Sequence, residues 1–406
     1  MNALSQRWAV VRLGTAQTLA WASSYYLPAM LAEPMARDLG VAPSTVFAAF
    51  SVALIVSALL GPMAGHAIDR HGGRPVLLAT NALFATGLAA LALAEGPLGL
   101  FAAWVLIGVA MGSGLYEAAF ATLVRLYGQR ARGAITGITL LAGFASTVGW
   151  PLTAWLEGAY GWRGACLGWA ALHLLVGMPL NAWLPRATAW PGDSPATGPL
   201  PPQTTATQTR PPTSPRRTAV LLSFVFAATW FISTAMAAHL PRLLQASGMP
   251  LHTAVAVAAL VGPAQVVARL LEFGLLRRMH PLTSARLAAM AHPLGGALLV
   301  VVGGPAGALF TVLHGAGNGI LTIAKGTLPL VLFGPLGYGM RQGLLMVPAR
   351  VAQAFAPVLF GMLLDTTGTA AVGLTAALGL TAALALWALR PAPDGRSALP
   401  HEPPTT

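Results

Sequence analysis

Long apolar runs separated by short polar turns constrain this chain more than any other feature. Over 406 residues it is 56% hydrophobic and only 8% charged, against about 25% charged in soluble domains. So few charges cannot cover a surface for water, so much of that surface must face lipid. A spanning helix needs roughly 20 apolar residues, which sets expected spans at 10–32, 44–65, 75–94, 98–126, 133–156 and 162–184. A second set follows at 218–240, 252–276, 281–302, 305–332, 343–364 and 369–389. Barrel strands would alternate over about ten residues; these runs are continuous, so the fold class is an all-α membrane protein of twelve transmembrane helices.

Residues 185–217, rich in Pro, Thr and Ser, have almost nothing to bury and are expected to form a disordered cytoplasmic linker. The linker divides the chain into a six-helix half at 1–184 and another at 218–390, with a tail at 391–406. The halves resemble each other: Gly61-Pro62 pairs with Gly262-Pro263, the Gly112-Ser-Gly114 run with Gly317-Asn-Gly319, and Trp21 with Trp230. The formal charge of +12 follows the positive-inside rule, with Arg12, Arg70, Arg130 and Arg277 on one side and Arg37, Arg163 and Arg242 on the other. That distribution places both termini in the cytoplasm and argues against nucleic-acid binding, for which an aromatic-interleaved basic patch is absent. The first apolar run reads as a signal anchor rather than a cleaved signal peptide. Cys166 is the single cysteine, which leaves no intrachain disulfide. The Ala, Leu, Arg and Pro bias fits a bacterial inner membrane.

Between the second and third runs stands Gly65-His-Ala-Ile-Asp69-Arg70-His-Gly72-Gly-Arg74. It resembles the loop motif of the major facilitator superfamily, Gly-x-x-x-Asp-Arg-x-Gly-Arg-Arg/Lys, with Gly73 in place of the first closing basic residue. The resemblance extends over 8–184 and 218–390. It implies two pseudo-symmetric halves that rock about a midplane site, and a gating role for Gly65, Asp69, Arg70, Gly72 and Arg74, which would hold the halves together through salt bridges and helix-end electrostatics. The alternative for those residues is a plain membrane-surface turn. Arg269 and Glu272, three apart on one helix face, occupy the equivalent place in the second half and read as a gate pair.

Ionisable groups within spans are costly and are functional candidates by default. Glu117 lies in the fourth span and Lys325, the only lysine of the chain, in the tenth; the resemblance makes both spans cavity-lining. Lysine is a compact charge suited to an anion or a proton, and Glu117 is suited to carrying a proton. The opposing reading is that both snorkel toward the cytoplasm. Arg350 and Gln353 share a face of the eleventh span, where Arg350 would either bind a carboxylate bidentately or satisfy Glu272. Tyr25, Tyr26, Gln17, Asn318 and Thr322 supply hydrogen-bonding groups on cavity helices. His314 and His239 read as satisfied polar residues or proton relays.

The fifth-span run Gly137-x5-Gly143-x5-Gly149-Trp-Pro151 departs from the Gly-Pro motif of the superfamily's antiporters, and Gly108 stands where its drug exporters carry an arginine. Tyr160-Gly-Trp-Arg163 leans toward the monocarboxylate and oxalate–formate branch. No P-loop, catalytic constellation or metal-spaced Cys/His cluster is present, so neither an enzyme nor a cofactor is expected. The expected function is secondary transport by alternating access of a small organic anion, coupled to protons, by a monomer in the lipid bilayer. Proton-driven efflux of lipophilic drugs and a non-transporting sensor on the same fold are the alternatives.

Overall fold

The structure is a computed structural model, and it describes residues 3–187, 215–275 and 279–389. Of the linker expected at 185–217, residues 188–214 lie outside the described residues, whereas 215–217 are not linker but the first turn of α10; the tail expected at 391–406 also lies outside them. The described chain is helical: α1 Ala3–Ser23, α2 Pro28–Leu39, α3 Pro43–His71, α4 Gly73–Ala92, α5 Pro97–Gly114, α6 Tyr116–Tyr127, α7 Arg132–Ala142, α8 Ala145–Leu172, α9 Met178–Ala182, α10 Pro215–Ala246, α11 Leu251–Ala258, α12 Val261–Gly274, α13 Pro281–Val302, α14 Gly307–Phe333, α15 Tyr338–Thr367 and α16 Val372–Ala388. Among the described residues, eight helical stretches, some of them joining several helices, are long and apolar enough to cross a membrane. One, Pro97–Ala182, contains the fourth to sixth expected spans, and another, Tyr338–Ala388, the last two. The large apolar side chains left exposed, among them Leu59, Met63, Leu175, Val301, Val358 and Met362, suit a surface in contact with lipid tails.

Several expected spans are broken or displaced. The first breaks after Ser23, so Tyr25 and Tyr26 sit in the turn before α2 rather than within a helix. The second does not end at 65. α3 runs 29 residues to His71, about 43 Å at 1.5 Å per residue, which exceeds a hydrocarbon core of ~30 Å. The expected loop is therefore the polar last turn of a helix, and the chain reverses only at Gly72, whose φ of 79° favours glycine. Gly73 is explained by packing, because a β-carbon there would overlap the side chain of Thr122. The fourth span breaks at Leu115, the fifth at Gly143–Phe144 and the eighth at Ala259–Leu260. The seventh helix begins at Pro215 and continues to Ala246.

Small residues set how closely the helices approach. Gly108 and Gly112 of α5 lie against the α3 backbone at Ala53 and Ser57, and Gly315 and Gly319 of α14 lie in the same way against α12 at Val261 and Gln265. The matching repeat is thus Gly108-x-x-x-Gly112 with Gly315-x-x-x-Gly319, shifted from the register expected from sequence. At the start of the sixth span the chain turns at Gly161 (φ 70°). There Arg163 covers the Trp162 ring and pairs with Asp38, and the Trp162 indole donates to the same carboxylate. Tyr160-Gly-Trp-Arg163 thus clamps α8 to α2.

Across the chain's two halves α3 packs along α15, with Gly65 against the backbone of Gly339 and Gly343 against Pro62. At this end the Asp69 carboxylate accepts hydrogen bonds from the backbone N–H groups of Gly339 and Met340, both 2.9 Å. These belong to the first turn of α15, where orphan donors and the helix dipole favour an anion. Replacing Asp69 with Ala leaves those donors without an acceptor, and a loss of roughly 1–3 kcal/mol is expected in the unfolding of the purified protein; an unchanged melting temperature would show the contact to be dispensable.

Candidate functional site: a cationic, aromatic cluster between the halves

Glu117 enters the site because the fourth span breaks one residue before α6. The break frees the Gly114 carbonyl, which accepts a hydrogen bond of 2.6 Å from Gln17 Nε2 on α1. Glu117 falls in the first turn of α6, a favourable place for a carboxylate beside a helix N-terminus. Opposite it, Arg350 of α15 donates through Nη2 to both Glu117 oxygens, at 3.1 and 2.9 Å, and through Nη1 to Gln353 Oε1 at 3.0 Å. The Arg350 side chain is 3% exposed and that of Glu117 14%. A pair this enclosed is largely shielded from water, so breaking it from one side is costly.

Two tryptophans floor the cluster. Trp21 of α1 and Trp230 of α10, which the sequence pairs as equivalents, stack with centroids 6.2 Å apart and planes 6° from parallel. Arg350 lies over both rings, at 5.9 and 5.4 Å, and Lys325 Nζ stands 4.1 Å from the Trp230 centroid. These are cation–π distances. Glu117, Arg350 and Lys325 thus belong to one site. Tyr25, Tyr26 and Tyr116 surround Trp21, and Phe120 stacks on Tyr116. Lys325 is 4% exposed and forms no ion pair among the described residues. The indole N–H groups of Trp21 and Trp230 and the amide nitrogen of Gln353 are buried without a hydrogen-bond partner. The cluster therefore holds two cations to one carboxylate, with three unused donors.

The remaining sequence candidates are distributed as follows. Arg269 and Glu272 do not pair with each other. Arg269 reaches across to α7, donating to the Thr139 carbonyl at 3.2 Å and filling the space beside Gly143 where that helix ends. Glu272 lies 3.6 Å from Arg132, the first residue of α7. Arg350 satisfies Glu117, not Glu272. Arg70 and Arg74 form no ion pair with Asp69, so the contact at that end is a helix-end hydrogen bond rather than a salt bridge. Thr322 bonds back to the Asn318 carbonyl. Asn318 and His314 line a separate cavity inside the second half. His239 bonds the Pro357 carbonyl at 2.7 Å, away from the cluster. The sequence did not single out Tyr116, Phe120 or Gln342; Gln342 Nε2 donates to the Lys325 carbonyl at 3.1 Å. The matched tryptophans were the one available signal for the aromatic floor.

An all-helical membrane protein whose two halves meet at buried charges has the form of a solute carrier. A profile of the Major Facilitator Superfamily matches residues 13–335, and the chain belongs to that superfamily. Among solved structures it resembles the proton:xylose symporter XylE bound to 6-bromo-6-deoxy-D-glucose, with TM-score 0.76, 14% identity and 97% of each chain covered. FucP in the outward conformation, from a transporter described as the fucose:proton symporter of E. coli, gives TM-score 0.71 and 14% identity over 94% of this chain and 99% of that one. The human organic anion transporter MFSD10 (TETRAN) gives 0.65 and 18%, over 95% and 100%. At these identities the likeness establishes the fold. An uncharacterized 38 kDa protein in a 23S RNA operon of Thermoproteus tenax is 36% identical over 148 residues, 36% of this chain and 38% of that protein's length.

Replacing Arg350 with Ala strands Glu117, and a destabilisation of about 3–5 kcal/mol is expected. The double variant Glu117→Gln/Arg350→Gln should be less destabilised than the sum of its single changes, as thermal unfolding of the four proteins would show. Additive effects would contradict the pairing.

Proposed function

We propose that this chain is a proton-coupled carrier of a small organic anion, working by alternating access between halves at 1–184 and 218–390. The observation that carries this reading is the excess positive charge of the buried cluster: Lys325 and Arg350 against Glu117, with the donors of Trp21, Trp230 and Gln353 unused. A carboxylate arriving there meets Lys325 and competes with Glu117 for the Arg350 fork, which suits bidentate carboxylate binding. A buried Glu117 that has lost its cation is costly as an anion and neutralises by taking up a proton. Substrate and proton are then linked through one guanidinium. The aromatic walls accommodate an apolar body behind the anionic group.

Export of a lipophilic cation has less support, because a cation would face Lys325 and Arg350 while the carboxylate is already engaged. The charge pattern agrees with the lean toward monocarboxylate and oxalate–formate carriers, and one of the similar folds is described as an organic anion transporter. With the arginine-rich turns inside, the Asp69 end faces the cytoplasm. The gate consists of Asp69 of α3 against α15 together with Arg269 and Glu272 of α12 against α7, in a monomer of a bacterial inner membrane. The arrangement is closed at that end: the cross-half contacts of Asp69, Arg132 and Arg269 gather there, whereas Asp38–Arg163 and Arg242–Asp365 at the opposite end each stay within one half.

The test is a melting-curve panel of small carboxylates, sugars, lipophilic cations and neutral drugs against the purified protein. A ligand at about 100 times its dissociation constant adds around 2.7 kcal/mol. A shift from carboxylates that disappears in Lys325→Ala is expected. A shift from sugars or lipophilic cations alone would overturn the anion assignment. In proteoliposomes, Glu117→Gln should abolish accumulation driven by a pH gradient while leaving exchange of the same carboxylate intact; retained pH-driven accumulation would remove Glu117 from the proton path.

A further inference from the structure

A second buried polar group lies within the second half, away from the interface. His292 of α13 and His314 of α14 face each other with their Nδ1 atoms 3.0 Å apart. At that separation one ring nitrogen must donate and the other accept, so the neutral pair shares a single proton between the two Nδ1 atoms. One ring then presents Nε2–H and the other a bare Nε2. Beside them is a cavity of ≈ 20 Å³, lined also by Thr229 and Asn318, and its size is that of a bound water molecule. His292 is 6% exposed, yet its Nε2 has no hydrogen-bond partner.

The first half provides a comparison. His173, on a π-helical turn, is equally buried, but both of its nitrogens are bonded, to Ser23 Oγ at 2.7 Å and to Asn81 Oδ1 at 3.0 Å. That imidazole is a completed pin between helices. The His292–His314 pair differs in having an unused nitrogen that meets open space, which points to a guest. No carboxylate, arginine or lysine lines the cavity. α10 contributes Thr229 and Ile232, α16 contributes Gly379 and Ala382, and Phe310 packs on the rings, so the titratable group facing each histidine is the other. No third metal-binding side chain joins them among the described residues. The guest that fits a water-sized space beside an unpartnered imidazole nitrogen is a water molecule, through which a proton can reach the pair.

We propose that His292, His314 and the adjoining cavity form a second proton-binding site, in which an added proton is taken up at the bare Nε2, where a water in the cavity meets it, and the charge is shared between the rings through the existing Nδ1–H···Nδ1 bond. A shared charge between equal bases is a strong, charge-assisted hydrogen bond. The site connects to the substrate cluster along one face of α14, where His314, Asn318, Thr322 and Lys325 follow at helical spacing. The eleven steps from His314 to Lys325 span about 16 Å. The site does not rest on the role assigned to Glu117, and its test needs no transported solute.

The measurement is nitrogen NMR of the full chain, ¹⁵N-labelled at histidine, in lipid nanodiscs from roughly pH 8 to 4.5, in the wild type and in Glu117→Gln. A coupling through the hydrogen bond should join two of the nine histidines at Nδ1. Both rings should gain protonation in one common step, unchanged by Glu117→Gln. His292→Asn should abolish the coupling and move the His314 midpoint by more than about one pH unit. Uncoupled Nδ1 signals, or a pair whose signals stay constant across the range, would overturn the proposal.

Discussion

The ion pair between Glu117 and Arg350 is the interaction on which the rest of this structure depends. It joins residues 233 positions apart, one from each half, in a region where charges are otherwise expelled by lipid and apolar packing. The surrounding features follow from accommodating it. The fourth span breaks so that Glu117 stands at a helix start, Gln17 takes up the carbonyl which that break exposes, and Gln353 and the faces of Trp21 and Trp230 receive the remainder of the guanidinium. Lys325 then adds a cation with no carboxylate of its own. A cluster built to be stable alone would have matched its charges; under the proposed function the unmatched one is where an anion binds.

The contacts between the halves at one end use helix ends alongside a single ion pair, Arg132–Glu272. An anion of the first half, Asp69, sits on the N-terminus of α15, and a cation of the second half, Arg269, sits on the carbonyl end of α7. Helix-end bonds of this kind depend on alignment and are lost together when the helices tilt, since the interaction fades within a turn. Gly65 and Gly339 make the alignment possible by letting α3 and α15 touch backbone to backbone. Under the proposed function the end would close as a unit, coupled to the central pair through α15, which carries both Met340 and Arg350.

Much of this was readable from the residues alone, for physical reasons. Apolar length gives the spans because the bilayer imposes it, and Glu117, Lys325 and Arg350 stand out because charge in a span is costly. The Gly65–Arg74 motif was legible, but its form was not: α3 continues to His71 because a helix longer than the hydrocarbon core simply carries its polar turn beyond it. Sequence spacing relates residues on one helix, which is why Arg269 and Glu272 looked like a pair and the true partners of both, on α7, could not be found. The breaks at Leu115 and Gly143 depend on tertiary partners, Gln17 and Arg269, and no local signal announces them. The tryptophans at matching places in the two halves were visible as a repeat, yet only the fold brings them into a stack.

The central claim is that anion binding and proton uptake are coupled through Arg350, for which the anion and Glu117 compete. It is tested most directly by following the pH of a weakly buffered solution of the purified protein as the carboxylate that stabilises it is added. The account predicts proton uptake on binding, close to one per anion bound, and none in Glu117→Gln. Binding of the anion to the wild type without any proton uptake would contradict it.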